Sequence, residues 1–256
     1  HQNRFCIFPR SEEENKMQIG GERMELENLS INIAATQQGN LALLHEWLKV
    51  HAAEEAAVLT EFLYRCQKDI RQLYRIYECL WKQEEEVCAL DEGYEFHVSP
   101  ERIWLCARGE EVAHTAQEWK RIIGKGISFL EELLPLGSVV ELQKEFLEEK
   151  MPSLKDAGKA VLVITERYLS LTGHSYFPYV GVPYPTGTFD GTSRMLFSPA
   201  LIKEVMHTGY QEEQEQAYQY RMKREYLLEK DMDMCGFETA EERKEIQRIM
   251  EEQHGR

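Results

Sequence analysis

The sequence predicts an α+β fold: a helical first half, a small, mainly antiparallel β-sheet with a helix packed on it, and a helical C-terminal extension. Three observations predict it. Residues 41–88 contain neither proline nor glycine, and their apolar residues recur mostly at steps of three and four, the period of a helix face. After residue 136 the apolar runs are short and close together, joined by turn residues rather than crossover helices. The order of helices, then strands, then helices is that of α+β rather than of alternating βα units.

Residues 1–38 read as a lead-in, with a short strand around Phe5–Phe8 and a break at Gly20-Gly21. The helical domain spans 39–132. Asn40 is a good N-cap. The stripe Leu41, Leu48, Ala52, Leu59, Leu63, Cys66, Ile70, Leu73, Tyr77, Leu80 and Val87 follows, and from Leu59 to Leu80 it alternates steps of four and three like a coiled-coil seam. It predicts either one very long helix or two helices bent near Glu54–Glu55, ended by Gly93. Ser99-Pro100-Glu101 has the chemistry of a second helix start, a capping serine followed by a first-turn proline and an acid. That helix is expected to reach Ile123, burying Trp104, Val112, Trp119, Ile122 and Ile123, with Gly124-Lys125-Gly126 as its break. A last helical turn over Ile127–Leu134 stops at Pro135.

The α+β domain spans 133–216. Strands are predicted at Leu136–Leu142, Ala160–Glu166, Tyr176–Val182, interrupted by Pro178, and Arg194–Phe197. Lys144–Gly158 reads as an insertion or loop. Ser198-Pro199 is expected to start a helix whose apolar face is Ile202, Val205 and Met206, ended by Gly209. Residues 217–256 complete the chain as acidic helices, predicted over Glu212–Asp233 and Thr239–His254.

Composition narrows the function. The 256 residues carry 30 Lys+Arg and 45 Asp+Glu, a net charge of −15. That balance excludes a nucleic-acid or anionic-membrane binder acting through bulk positive charge. No apolar run approaches the ~20 residues of a membrane span. Cysteines at 6, 66, 79, 88, 106 and 235 form no Cys-x-x-Cys pair and suit buried reduced thiols in a cytoplasmic protein. Catalytic signals are sparse. There is no phosphate-binding Gly-x-x-x-x-Gly-Lys-Ser/Thr, no Gly-x-Gly-x-x-Gly after a strand and no Gly-x-Ser-x-Gly elbow. His45 and His51 are six apart and do not share a helix face as metal-binding pairs do. No catalytic residue, metal site or cofactor is expected, although a triad assembled from distant residues would leave no local trace.

Binding signals are stronger. Leu59, Leu63, Ile70, Leu73 and Leu80 have the spacing with which a helix meets partner helices or its own core. The segment Tyr176-Phe-Pro-Tyr-Val-Gly-Val-Pro-Tyr-Pro-Thr-Gly-Thr sets tyrosines on a proline-stiffened path. Tyr179, Pro183, Tyr184 and Pro185 therefore form either a rigid recognition surface or an edge strand whose tyrosines cover the core.

Three segments carry a family resemblance: Leu133-Leu-Pro-Leu-Gly-Ser-Val-Val-Glu-Leu, Tyr179-Val-Gly-Val-Pro-Tyr-Pro-Thr-Gly, and Leu196-Phe-Ser-Pro-Ala-Leu-Ile-Lys-Glu-Val-Met-His-Thr-Gly-Tyr. Together they resemble an uncharacterised-function domain encoded in type VII secretion loci of Gram-positive bacteria, beside genes for LXG-type toxins and small helical companion proteins. The likeness covers Leu133–Gln216. Lys144–Gly158 is longer than the family's usual turn, and Thr165-Glu166-Arg167 keeps only part of its basic strand end. The resemblance implies a cytoplasmic, non-enzymatic accessory role: a chaperone or targeting adaptor for an LXG-type toxin. Its partners would be the toxin's leader helices and the small companions, with neither nucleic acid nor membrane insertion involved. The leucine stripe would supply one contact and Tyr179–Pro185 a second. An immunity protein that inhibits a cognate toxin is the alternative, since toxin loci also encode acidic inhibitors.

Overall fold

The computed structural model describes residues 8–10, 36–83, 85–91, 93–143, 159–170, 172–188 and 194–236, together with Lys244 and Arg248. Two compact units divide the chain. A helical unit holds residues 31–132 and 219–233; a sheet unit holds 1–30, 133–218 and 234–256.

In the helical unit the long stripe becomes three helices, α1 (Thr36–His51), α2 (Ala56–Cys66) and α3 (Arg71–Lys82). The first break falls at 52–55, where a bend was expected, and a second is a 3₁₀ turn at Gln67–Asp69. Leu59, Leu63, Leu73 and Leu80 are buried together with Phe62, Cys66 and Ile76, and only Ile70 is half-exposed. Four of the five stripe residues are therefore buried in the folded chain. The alternating spacing serves the domain core as well as it serves a coiled coil. α3 ends at Gln83, in the left-handed region at φ 56°, well before Gly93.

The expected helix from Ser99 is corrected. Residues 86–113 form a four-stranded antiparallel meander: β2 (Glu86–Asp91), β3 (Tyr94–Val98), β4 (Ile103–Ala107) and β5 (Glu110–Ala113). Ser99 Oγ donates to the Arg102 carbonyl at 2.8 Å and accepts the Arg102 N–H at 3.1 Å. The serine thus closes a hairpin turn with the chemistry that would cap a helix. Tyr94, Phe96 and Val98 point inward and alternate with Glu95 and His97, the period of a strand. The helix starts only after Thr115. Thr115 and Glu118 form a reciprocal capping box that opens α4 (Ala116–Leu130).

Gly124-Lys125-Gly126 lies inside α4 rather than ending it. A Cβ on Gly126 would stand 2.7 Å from a Leu63 methyl, so the bare backbone lets Leu63 approach. Phe96 fills the centre, 6.0 Å from the Phe62 ring and edge-on to Trp119 at 4.8 Å. Lys125 is buried, with Nζ donating to the Met232 carbonyl at 2.8 Å and meeting Asp231 at 3.0 Å and Asp233 at 2.9 Å. Burial works against the Asp231 charge, but the Trp47 indole N–H, Lys125 and Arg121 outweigh it and hold the carboxyl below its usual range. Lys223, also buried, donates to the Phe129 and Glu131 carbonyls at 2.8 and 2.6 Å and so satisfies the free end of α4.

The sheet unit is built on an antiparallel sheet in the order β1-β9-β8-β7-β6-β10. β1 is Phe8–Arg10, β6 Val139–Leu142, β7 Ala160–Ser170, β8 Ser175–Pro183, β9 Arg194–Phe197 and β10 Ile202–His207; a two-residue strand, β11 (Asp233–Met234), pairs with β8. The four strands expected after residue 136 are thus present as β6–β9. Pro178 lies within β8 without interrupting it, because pairing with β9 begins only at Tyr179, beyond the missing N–H. The helix expected from Pro199 to His207 is instead a 3₁₀ turn, Pro199–Leu201, followed by strand β10. Register shifts on β10 between Ile202 and Glu204 and between Val205 and His207 are bulges. Each inserts a residue, so the apolar spacing mimics a helix.

Helix α5 (Glu213–Lys223) runs into a π-helical turn at Arg224–Glu229. Lys144–Gly158, Phe5–Ile7 and nearly all of Thr239–His254 lie outside the described residues. No helix among the described residues is long and apolar enough to cross a membrane. Cys66, Cys79, Cys88, Cys106 and Cys235 are free thiols, and burial pushes Cys66 and Cys79 up to about 12.

Two predictions follow from this packing. Leu63→Ala should cost about 3 kcal/mol in urea unfolding, as for other fully buried leucines. Adding Gly126→Ala to it should restore part of that loss, because the new Cβ enters the vacated space; a purely additive double variant would contradict the contact. The second concerns Lys223, which burial pushes down to about 8. Between that value and the ordinary lysine range the unfolded chain holds a proton that the folded chain has released. Stability contributed by this site therefore rises with pH across the window. Comparing urea unfolding at the two ends, the wild type should gain on the order of 2 kcal/mol over Lys223→Met. Parallel pH curves would refute it.

Candidate functional site

The sheet unit concentrates its specific geometry at a turn entering β6. Pro135-Leu136-Gly137-Ser138 has the pattern of a type II turn: Ser138 N–H donates to the Pro135 carbonyl at 3.3 Å, and Gly137 sits at φ +80°. A side chain at position 137 would be strained there. Ser138 Oγ donates to the same carbonyl at 2.8 Å and accepts the Gly209 N–H at 2.9 Å. Gly137 N–H donates to Ile164 O at 2.9 Å, and Ile164 N–H to Ser138 O at 2.8 Å, tying the turn to β7. The approach of Gly209 is close: a Cβ there would stand 2.0 Å from the Leu136 carbonyl oxygen. Two of the three signature segments thus meet, and only glycine fits the meeting point.

The residues just before the turn are held from the sheet. Leu134 N–H donates to the Tyr179 hydroxyl at 2.8 Å, and Arg167 donates to the Leu134 carbonyl at 3.4 Å. Arg167 is only 4% exposed and makes a two-pronged pair with Glu215 of α5, its second nitrogen donating at 3.0 Å. Burial works against the arginine charge, but Glu215 outweighs it and keeps the group more basic than usual. The guanidinium also lies over the Tyr218 ring at 5.2 Å. On β6, buried Glu141 takes Lys203 at 2.6 Å and Lys159 at 2.9 Å, which hold its carboxyl below the usual range.

The tyrosine–proline segment divides in two. Tyr179 is buried and spends its hydroxyl on Leu134, whereas Tyr184 is 62% exposed. Pro183 is half-buried and Pro185 exposed. Gly187 N–H donates to the Pro183 carbonyl at 2.7 Å and closes a turn that presents Tyr184 outward; Tyr184 N–H donates to Val161 O at 2.9 Å. Of the two readings of this segment, Tyr179 does cover the core, but from a strand paired on both sides rather than from an edge; Tyr184 is left exposed. Among the described residues, no group of three or more His, Cys, Asp or Glu side chains is placed to hold a metal ion.

Residues 133–218 match the model of a family described as a domain of unknown function (DUF4176). That stretch is a DUF4176 domain. No curated protein and no solved structure matches the chain. The three segments singled out in the sequence lie within this domain, and they build the turn, the Tyr184 loop and the close approach of Gly209. Sequence reasoning missed Arg167 and Glu215, which lie 48 positions apart and show no local pattern. The one available signal was the partly basic Thr165-Glu166-Arg167.

Arg167→Met should destabilise the chain by about 3–5 kcal/mol, since it removes the buried cation that matches the Glu215 charge. Glu215→Met should do likewise. The double variant Arg167→Met/Glu215→Met should be less destabilised than either single one, by chemical denaturation. A double variant as damaged as the sum of the singles would show that the pair acts independently.

Proposed function

We propose that this protein is a non-enzymatic accessory factor of bacterial type VII secretion, acting in the cytoplasm as a chaperone or targeting adaptor for an LXG-type toxin. The observation that carries the reading is the DUF4176 domain at 133–218, whose signature residues resemble those of a domain encoded beside LXG-type toxins. The geometry supports a binding role, because those residues build rigid turns that hold Tyr184 outward. Stiff, exposed aromatic anchors lose little entropy on binding. With the leucine stripe spent on the core of the helical unit, the contact falls to exposed side chains. The net charge of −15 favours a second reading, an immunity protein that occludes a basic site on a toxin.

One experiment separates the two. The cognate toxin is split into leader and catalytic fragments, and each is copurified with the protein. The adaptor reading expects the leader fragment to be retained and Tyr184→Asp to weaken retention by about tenfold or more, with an unchanged circular dichroism spectrum. Retention of the catalytic fragment alone would reject the adaptor reading and favour the inhibitor.

A further inference from the structure

β10 is an edge strand of the sheet among the described residues, and edges are natural docking places. Two features decide what can dock here. The bulges between Ile202 and Glu204 and between Val205 and His207 break the regular ladder, so an added strand could not keep register along it. The apolar side chains of the same region nonetheless face solvent. Leu136 is 48% exposed, Val205 42%, Met206 49% and Tyr210 80%. The close approach of Gly209 to the Leu136 carbonyl brings the backbone preceding Tyr210 against that of Leu136, and the pairing of Val205 with Val140 and of His207 with Val139 runs β10 alongside the strand that follows Leu136. Of the exposed large apolar residues described in this unit, only Tyr184 lies elsewhere.

The exposed charge next to these residues along the chain is mostly acidic. Glu204 follows Lys203 on β10, Glu212 accepts from the Tyr210 hydroxyl at 3.3 Å with Glu213 next to it, and the one lysine of β10, Lys203, is engaged with buried Glu141. Apolar side chains with anionic neighbours complement an element of opposite layout. A helix fits where a strand does not, because it docks by side chains and needs no free ladder.

We propose that the surface formed by Leu136, Val205, Met206 and Tyr210 binds a cationic amphipathic helix of a partner protein. The inference deepens the adaptor reading and rests on it for the existence of a partner, but not for the partner's name. The full chain is titrated into a fluorescent peptide of about eighteen residues, with leucines at helical spacing and lysines on the flanks. A second peptide replaces the lysines by glutamates. The lysine peptide should bind at least about tenfold more tightly than the glutamate peptide, and added salt should weaken it. The variant Leu136→Ser/Met206→Ser/Tyr210→Ser, altered only at exposed positions, should lose about tenfold or more in affinity while keeping its circular dichroism spectrum and urea midpoint.

Equal binding of both peptides, binding by neither, or binding that the triple variant leaves intact would overturn the surface. So would a concentration-dependent dimer that the triple variant dissolves, since a second copy would then occupy it. Leader copurification that survives in the triple variant would reject this surface and leave the adaptor reading standing. Peptide binding at the patch without leader copurification would do the reverse.

Discussion

The buried Arg167–Glu215 pair is the constraint on which the sheet unit turns. An arginine this enclosed is tolerable only with its charge matched, and its two terminal nitrogens are used although its Nε–H is left without a hydrogen bond. Here one group reaches the Leu134 carbonyl, and the Tyr179 hydroxyl takes the Leu134 N–H. Both polar groups of the residue preceding the turn are thereby fixed from β7 and β8. The turn that follows has little freedom left, and its Leu136 carbonyl comes to lie where only a glycine at 209 can pass. A charge pair in the interior thus helps to fix the turn on which Leu136 stands exposed.

The same economy recurs in the helical unit with different partners. Lys125 and Lys223 are both buried, yet each finds carbonyl oxygens, and Lys125 finds two carboxylates as well. Cations enclosed in a strongly acidic chain are thus spent on holding chain segments in place. Exposed charge is left weighted toward acids, and this is the charge that the proposed partner would meet. At ordinary ionic strength such fields act over about 8–10 Å, so they select and steer partners more than they hold them.

Strands β6 to β9 were legible because each is a dense apolar run closed by glycine, proline or a polar turn. The meander β2–β5 was not. Ser99-Pro100-Glu101 carries helix-start residues, and Trp104, Val112 and Trp119 fall at helical spacing. In the folded chain Trp104 and Leu105 face opposite sides of a strand, and only Trp119 belongs to a helix. Local chemistry could not decide between a capped helix and a closed hairpin, because the serine oxygen accepts the N–H three residues on in both. β10 was misread for a related reason: two inserted residues converted a strand's period into something close to a helix's. The leucine stripe was correctly seen as helical, but its spacing carries no label for which surface receives it.

The site was legible in one of its turns and illegible in its supports. Glycine and proline announce a turn from their own conformational limits, so Pro183–Gly187 stood out in the sequence, whereas Leu136–Ser138 reads as the start of a strand because it runs straight into the apolar Val139-Val140. Arg167, Glu215, Tyr179 and Gly209 act through partners 33 to 71 residues away. No periodicity encodes such pairs, since they are set by strand order. The order β7-β6-β10 brings the end of β10 beside the start of β6, and the bulges keep that edge from extending the sheet. An edge closed to strands but rich in exposed apolar side chains has a limited range of uses. It is protected against edge-to-edge aggregation, and the proposed helix would suit it because a helix brings its own completed hydrogen bonding.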